Sequence, residues 1–558
     1  MDQKTTEPEP PHLRNDLNPV SLYGVFTASG NRKVRCAVVL TDRELTVQRL
    51  TSRPFRRNKL VLSLKDCVGS RAYRRDDGAD PAAYFSVYFY PLKKRWVKAG
   101  VARQRVEQCF RVATVQDARA NLEEAEKWAR AVRERCARQR YLREGVLLSE
   151  LCRPCRVMLL VNPQSGSRQA LALYNNQIQQ MLSEAEIQHT LFITERHNHA
   201  RELAREADLS LWDALVIVSG DGLLFEVING LLERPDWEEA IRTPLAILPG
   251  GSGNALAASI HHYSGAMPVS SEELLISCGF LLCKRLVSHM DLVSIHLSSN
   301  PRLFSFLSLA WGFVADVDIE SETYRNLGAV RFTMGTLVRL AFLRVYKGKL
   351  WYLPARKDYK EEEGLRNDMK LHSNNQTRSV IQLSSESSWQ TAVQNTFHNS
   401  CHSNNSVTGK RTESIPSQSI TKAFTGPPDS LLLPLDQQLS SDWVEVQEEN
   451  FVLMLAIYQS HLSEDLLAAP DSALDDGVIH LMYVTAGISR FELFRLFMAM
   501  ENGAHLTSSC QYLVYTKVRA LRLEPYSRNG VITVDGEIVE YGPVQAEVHR
   551  GLARLITG

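Results

Sequence analysis

Between Arg156 and Asn254, short apolar runs alternate with helical patterns. RVMLLVNP, HTLFITE, ALVIVSGD and LAILPGGSGN are separated by stretches such as ALALYNNQIQQMLSEAEI, HARELAREADL and LLFEVINGLL. An all-apolar run has no polar face to give to water, so it must be covered on both sides. The helical stretches between the runs supply that cover. The rhythm predicts a parallel sheet wrapped by helices, a Rossmann-like α/β domain over 153–290, with ligands bound beyond the carboxyl ends of the strands.

Each of these runs ends in small or polar residues. At the first exit, VNPQSGSRQA, Pro163 fixes a turn after Asn162, Gly166 allows close backbone approach, and a helix begins just beyond. Free N–H groups of that turn can face a phosphate. The second exit, TERHNHAREL, offers Thr194, Glu195 and Asn198 to a nucleotide's sugar or base, and reads equally well as a polar helix start. The third is SGDG, where one carboxylate, Asp221, stands between Gly220 and Gly222 as strand gives way to helix, with Glu226 near the same end. That carboxylate can take a proton, hold magnesium through water, or merely cap its helix. The fourth exit, LPGGSGNALA, repeats the tight glycine turn with a hydroxyl and a helix opening. Neither glycine turn is a P-loop, since no GKS or GKT follows. Neither has the GxGxxG of dinucleotide binding, which argues against hydride transfer.

On either side the pattern changes. Over 20–142, strand-like segments (SLYGVFTA, KVRCAVVLT, ELTVQRL, KLVLSL, AAYFSVYFYPL) precede one amphipathic helix with Leu122, Ala125, Trp128, Ala129 and Val132 at helical spacing. Antiparallel strands closed by a Trp-bearing helix are similar to a pleckstrin-homology-type barrel. Over 291–355 and 443–558 strands dominate, as in an antiparallel β-sandwich domain. Residues 1–19 read as a disordered tail and 356–442, rich in Ser, Asn, Gln and Thr, as a disordered insertion. Lys plus Arg number 64 against 63 Asp plus Glu, so no global field favours nucleic acid, and no direct nucleic-acid binding is expected. The N-terminus carries no apolar leader, and runs such as LFSFLSLAWGFVA are too short to span a bilayer. A cytoplasmic protein that touches intracellular membranes peripherally is expected. The 10 cysteines have no repeated spacing, which suits a reducing compartment; the lone CxxC of Cys152 and Cys155 reads as two structural thiols, and no metal ligands are assigned.

The segments VNPQSG, TERHNHAREL, SGDGLLFEVINGLLERPDWEEA, LPGGSGNALAAS, SLAWGFVADVDIESETYR and VDGEIVEYGPVQ together resemble the sphingosine kinases, within the diacylglycerol-kinase-type lipid kinases, over 155–355 and 443–558. The resemblance implies an α/β nucleotide domain joined to a β-sandwich lipid domain, with the active site in the cleft. It implies ATP with Mg2+, sphingosine or dihydrosphingosine as acceptor, and Asp221 as the general base that deprotonates the lipid's primary hydroxyl. Asn162, Pro163, Gln164, Thr194, Glu195, Arg196, His197, Asn198, Gly222, Glu226, Gly250, Gly251 and Ser252 would line the nucleotide. Arg325 and Arg331 would hold its phosphates, and Asp535, Gly536 and Glu537 would close on it. Ser219, Gly220, Asp221 and Gly222 would meet the reacting end of the lipid, and Asp318, in ADVD, would pair with the sphingoid amine. A cation suits phosphates and a carboxylate suits an ammonium. Ser165, where relatives often carry Gly, and Phe225, where a His is common, depart from the pattern without removing a required charge.

Three other stretches carry two readings each. In RFTMGTLVRLAFLRVYKGK (331–349), Met334, Leu337, Val338, Ala341, Phe342 and Val345 share a helical face, with Arg339, Arg344, Lys347 and Lys349 elsewhere. That pattern suits a helix lying on an anionic membrane, or an ordinary core helix. Phe313, Val314, Leu453 and Leu455 would line an acyl pocket or fill a core. The basic run KKRWVK (93–98), with Arg103 and Arg105 beyond, reads by default as a solvated hairpin; phosphoinositide binding and a nuclear address are its functional alternatives. A homodimer is left open. The rival functions are a ceramide or diacylglycerol kinase, and a catalytically silent lipid-binding scaffold; GSGNALA and ADVD favour a free sphingoid base.

Overall fold

In a computed structural model of the chain, the four apolar runs form parallel strands, Cys155–Val161, Ile187–Ile193, Ala214–Ser219 and Leu245–Pro249. The structure describes residues 21–50, 59–75, 80–95, 100–138, 149–150, 154–166, 168–298, 302–321, 330–355, 426–528 and 530–558. All of these belong to one compact unit, and the expected tail (1–19) and positions 356–425 of the expected insertion lie outside them. In space the four strands run second, first, third, fourth. Every residue of Ala214–Ser219 and Leu245–Pro249 is buried, which is why these runs show no polar alternation. After the first strand the chain turns toward one edge of the sheet, and after the third toward the other. A crevice therefore opens between those two exits.

The sheet does not end with the fourth strand. Val544–Ile556, close to the C-terminus, pairs in parallel with Leu245 through Leu555, and antiparallel with both Leu286–Leu297 and Leu513–Pro525. The expected α/β and β regions are thus stitched into a single hydrogen-bonded network of mixed direction and mostly strands, with the last strand as the seam. Sequence periodicity cannot reveal such a seam, because a strand carries no mark of which sheet it joins.

The N-terminal segments form a seven-stranded antiparallel sheet, and the helix Ala118–Arg138 packs on it. Trp128 is buried, with its ring 5.0 Å from that of Phe26 and 5.7 Å from that of Phe85. The predicted helical face is the one that packs: Ala125, Ala129 and Val132 are buried beside it.

This sheet is bolted to the α/β region by arginines of the basic run, which does form the expected hairpin, Leu92–Lys94 pairing with Val101–Arg103. Lys93 and Lys94 are exposed, and positions 96–98 lie outside the described residues. Arg95, however, forms an ion pair with Glu273 of the helix Ser271–Lys284. The Arg103 guanidinium stacks 3.6 Å from the centre of the Phe280 ring on that helix and donates to Asp66. Arg105 donates to the buried Glu184, which also accepts from the Tyr90 hydroxyl at 2.7 Å. These cations lie where opposite charges and an aromatic face wait for them, a fact of tertiary contact rather than of local sequence.

Two further expectations shift. The insertion was expected to run to 442, yet residues 426–442 are described and pinned to the sheet. Asp429 accepts from Ser294, His296, Arg302 and His549, and Arg522 donates to the carbonyls of Leu433, Pro434, Leu435 and Gln437. Polar composition hid this strap, because it is held by hydrogen bonds rather than by an apolar face. Likewise the helical reading of 331–349 is cut short. The helix spans Val330–Ala341, and Tyr346–Pro354 is a strand. Arg339, expected on its charged face, is buried and paired with Asp316 and Glu320.

Candidate active site

The exits of the first, third and fourth strands meet in backbone contact. Gly166 adopts φ +55, and a Cβ on it would stand 2.9 Å from the Gly251 carbonyl carbon. A Cβ on Gly220 would stand 2.5 Å from the Gly253 oxygen, so only glycine lets these turns stack. Around them run polar ties. The Ser219 hydroxyl donates to Ser165 Oγ at 2.9 Å, Gly250 N–H to the Ser219 carbonyl at 3.0 Å, and Asp221 N–H to the Gly253 carbonyl at 3.0 Å. The Ser165 hydroxyl thus fastens the first turn to the third.

Asp221 is the first residue of the helix Asp221–Leu232, but it does not cap that helix. Its carboxylate accepts from Ala255 N–H at 2.7 Å and Leu256 N–H at 3.2 Å, the opening amides of the neighbouring helix Ala255–Tyr263. The capping alternative thus holds in an unexpected form, between helices rather than within one. Asp221 is 6% exposed, and burial pushes its carboxyl up to about 7. The two amide bonds pull the other way, while the charges of Asp535 and Glu464 add to the rise.

One cavity of about 440 Å³ joins these loops to an apolar wall. Of the residues singled out in the sequence, Asn162, Gln164, Thr194, Glu195, Arg196, His197, Ser219, Gly220, Asp221, Gly222, Glu226 and Ser252 border it. The same cavity is lined by the apolar side chains of Leu307, Phe313, Val317, Leu462, Leu466 and Phe497, and by Asp318, Gly536 and Glu537. Phe313 and Phe497 stack with ring centres 5.2 Å apart. Of the four proposed acyl-pocket residues, Phe313 and Val314 border the cavity, whereas Leu453 and Leu455 are buried in the core behind it.

Other expected residues are elsewhere. Pro163, Asn198, Gly250 and Gly251 shape turns without bordering the cavity; Asn198, at φ +61, opens the helix His199–Glu206. Glu226 accepts from Ala200 N–H at 3.1 Å at the start of that helix and lies 3.6 Å from His197, so it fixes the second exit as well as facing the cavity. Arg325 is outside the described residues, and of Arg331 only the helix backbone is described.

Asp535, Gly536 and Glu537 all border the cavity, Glu537 facing Gly222. The Asp535 carboxylate also holds the loop 305–308, accepting from Ser305 Oγ at 2.5 Å and from the amides of Phe306, Leu307 and Ser308 at 2.9–3.0 Å. With that many donors engaged, it builds the cavity wall. The ADVD pair divides. Asp316 is buried against Arg339 and Tyr346, whereas Asp318 faces the cavity. Phe225 is 9% exposed within the core, so a hydrophobic residue suits its place.

Sequence reasoning missed Glu464, whose carboxylate accepts from Asn254 Nδ2 and from Ser271 Oγ, each at 2.6 Å. No motif surrounds it, and nothing in HLSEDLLAAP links it to the glycine loop some two hundred residues earlier.

Residues 156–293, which carry all four strand exits, match the diacylglycerol kinase catalytic domain. A crystal structure of a diacylglycerol kinase from Bacillus anthracis str. Sterne aligns at a TM-score of 0.40 and 15% identity, over 72% of this chain and 96% of that one. The loops and the domain match define a lipid kinase. Sphingosine kinase 1 of Homo sapiens is 47% identical over 73% of this chain and 92% of its own length, and Sphingosine kinase 2 of Homo sapiens is 38% identical over 100% and 93%. Sphingosine kinase 1 of Arabidopsis thaliana is 31% identical over 74% of this chain and 77% of its own. The chain belongs to the sphingosine kinase family.

Proposed function

We propose that the chain transfers the γ-phosphoryl group of ATP to the primary hydroxyl of sphingosine, or of dihydrosphingosine, to give sphingosine 1-phosphate. The observation that carries this reading is the continuity of the cavity. One cavity brings together a buried carboxylate at about pKa 7, the glycine loops and a set of apolar side chains. Asp221 accepts the hydroxyl proton as the oxygen attacks the γ-phosphorus and ADP leaves. Its raised pKa is matched to that task near neutral pH. Asn162, Gln164, Thr194, Glu195, Arg196, His197, Gly222, Glu226, Ser252, Gly536 and Glu537 contact the nucleotide, and Arg325 and Arg331 neutralise its phosphates. Asp318 pairs with the sphingoid ammonium, which ceramide and diacylglycerol lack.

Among the described residues no group of three or more His, Cys, Asp or Glu could hold a metal ion. A magnesium ion therefore fits as a companion of the nucleotide's own phosphates, with Glu537 the carboxylate that faces the glycine loops. Its contribution when bound is to neutralise phosphate charge.

Delivery of the lipid points to peripheral membrane contact. No described helix is long and apolar enough to cross a membrane. Val338, Phe342 and Val345 are exposed at the end of the helix Val330–Ala341, and Phe491 is 69% exposed on the helix Arg490–Met500, whose Phe497 reaches the cavity. The domain organisation that accompanies this reading is a pleckstrin-homology-like domain over 20–142, a catalytic α/β domain over 153–290, and a β-sandwich lipid domain over 291–355 and 443–558.

The test is a lipid panel with ATP and magnesium. Phosphorylation of sphingosine well above ceramide and diacylglycerol is the expected result. Preference for either neutral lipid would overturn the substrate assignment, and no turnover of any lipid would favour the silent scaffold.

A further inference from the structure

The glycine turn of the fourth strand exit is braced by its own asparagine. Asn254 Oδ1 accepts from Gly251 N–H at 3.2 Å, and Asn254 Nδ2 donates back to the Gly251 carbonyl at 3.0 Å. Asn254 is 3% exposed, and the same Nδ2 donates to Glu464 at 2.6 Å. Glu464 belongs to a different part of the chain, the hairpin formed by His461–Ser463 and Leu466–Leu467. That hairpin also lines the cavity, through Leu462, Ser463 and Leu466. Its base is fixed to the helix of the glycine loop: His461 N–H donates to Ser259 Oγ at 3.1 Å. Its tip is fixed to the helix Ser271–Lys284, where Ser271 Oγ donates to the second oxygen of Glu464.

We infer that Glu464 is a positioning residue that couples the two substrate sites, holding the Gly250–Asn254 turn in its phosphate-binding shape according to how the lipid-side hairpin is seated. The inference rests on the lipid-kinase reading above. A lipid chain against Leu462 and Leu466 presses on the element that carries Glu464. Glu464 in turn orients the Asn254 amide that closes the glycine turn. Coupling of this kind is reciprocal, so lipid occupancy tightens the nucleotide site and nucleotide tightens the lipid site. Glu464 touches neither reacting group; it acts through Asn254.

Two substitutions separate this role from simple support. Glu464→Ala removes both accepted hydrogen bonds. Glu464→Gln keeps an oxygen for Asn254 and offers an N–H to Ser271 Oγ, so it retains the brace while removing the charge. Initial rates are measured over a grid of ATP and sphingosine concentrations for the full-length wild type and both variants. In the wild type, the KM for ATP falls as sphingosine rises. In Glu464→Ala, the KM for ATP at saturating sphingosine rises about tenfold, the low end of what a hydrogen bond to a charged group is worth, and no longer responds to sphingosine. Glu464→Gln recovers both the KM and its response to within about threefold. A Glu464→Ala enzyme with wild-type KM and wild-type response to sphingosine overturns the inference, as does a loss that Glu464→Gln fails to recover. A wild type that does not phosphorylate sphingosine sinks the lipid-kinase reading itself, and the same grid reports that outcome separately.

Discussion

Asp221 concentrates the chemistry of the site in one side chain, and its protonation gives the sharpest test. A base must be unprotonated to act. With its carboxyl pushed up to about 7, kcat/KM falls about tenfold per pH unit below that value and levels off above it. A pH–rate profile with an acid limb near the ordinary carboxylate value would speak against the assignment. Asp221→Asn should lower kcat by about a hundredfold or more with far-ultraviolet circular dichroism unchanged. The same shift has a signature in stability. The folded carboxyl holds its proton up to about 7, whereas an unfolded one releases it near 4, so the contribution is fully present at low pH and is lost as pH rises through that window. The melting temperature of Asp221→Asn relative to wild type should therefore climb between about pH 4 and 7. At Asp318, exchange of carboxylate for amide should raise the KM for sphingosine about tenfold or more while leaving that for ATP within about twofold. An equal effect on both substrates would remove the amine-pairing role.

Elements show where periodicity succeeded and where contact overrode it. The four parallel strands and the Trp128 helix were legible, because burying a whole strand or one helical face imposes a repeating pattern on the residues themselves. The helix at 331–349 was misread at both ends of its argument: its pattern ran past Ala341, and Arg339 found a buried carboxylate partner that no spacing rule contains. Its exposed end gives a testable expectation. Phe342→Glu, alone or with Phe491→Glu, should reduce sedimentation with anionic vesicles several-fold without changing kcat on detergent-solubilised sphingosine. The bolt between the N-terminal sheet and the α/β region is tested at Glu184. Glu184→Ala deprives Arg105 and Tyr90 of their shared acceptor, and about 2–3 kcal/mol of local stability should go with it. Amide exchange in the strands Ala83–Phe89 and Val106–Val112 should then speed up, while that of Ala214–Ser219 should not.

At the scale of the whole molecule, the last strand binds regions distant in sequence into one sheet, and the strands that flank positions 356–425 pair directly with each other. Trp351 and Tyr352 lie opposite Glu445 and Val444, and the strap from 426 onward is fixed by Asp429 and Arg522. Replacing residues 358–424 with a short Gly/Ser linker should therefore leave kcat on sphingosine within about threefold of wild type, because loop-closure cost changes slowly with length. A collapse of activity would assign the insertion a part in the catalytic unit.

The sequence alone determined the parallel sheet, the glycine turns at its strand exits and the singular position of Asp221 between two of them. These are local properties, each imposed on neighbouring residues by backbone geometry or by burial of a whole face. Only the tertiary structure decided that Asp221 caps the next helix rather than its own, that Asp535 builds a wall, that Asp316 and Asp318 face different ways, and that Glu464 reaches the glycine loop. Each depends on a partner supplied from far along the chain, and a carboxylate carries nothing in its own neighbourhood to say which donor the fold will bring to it.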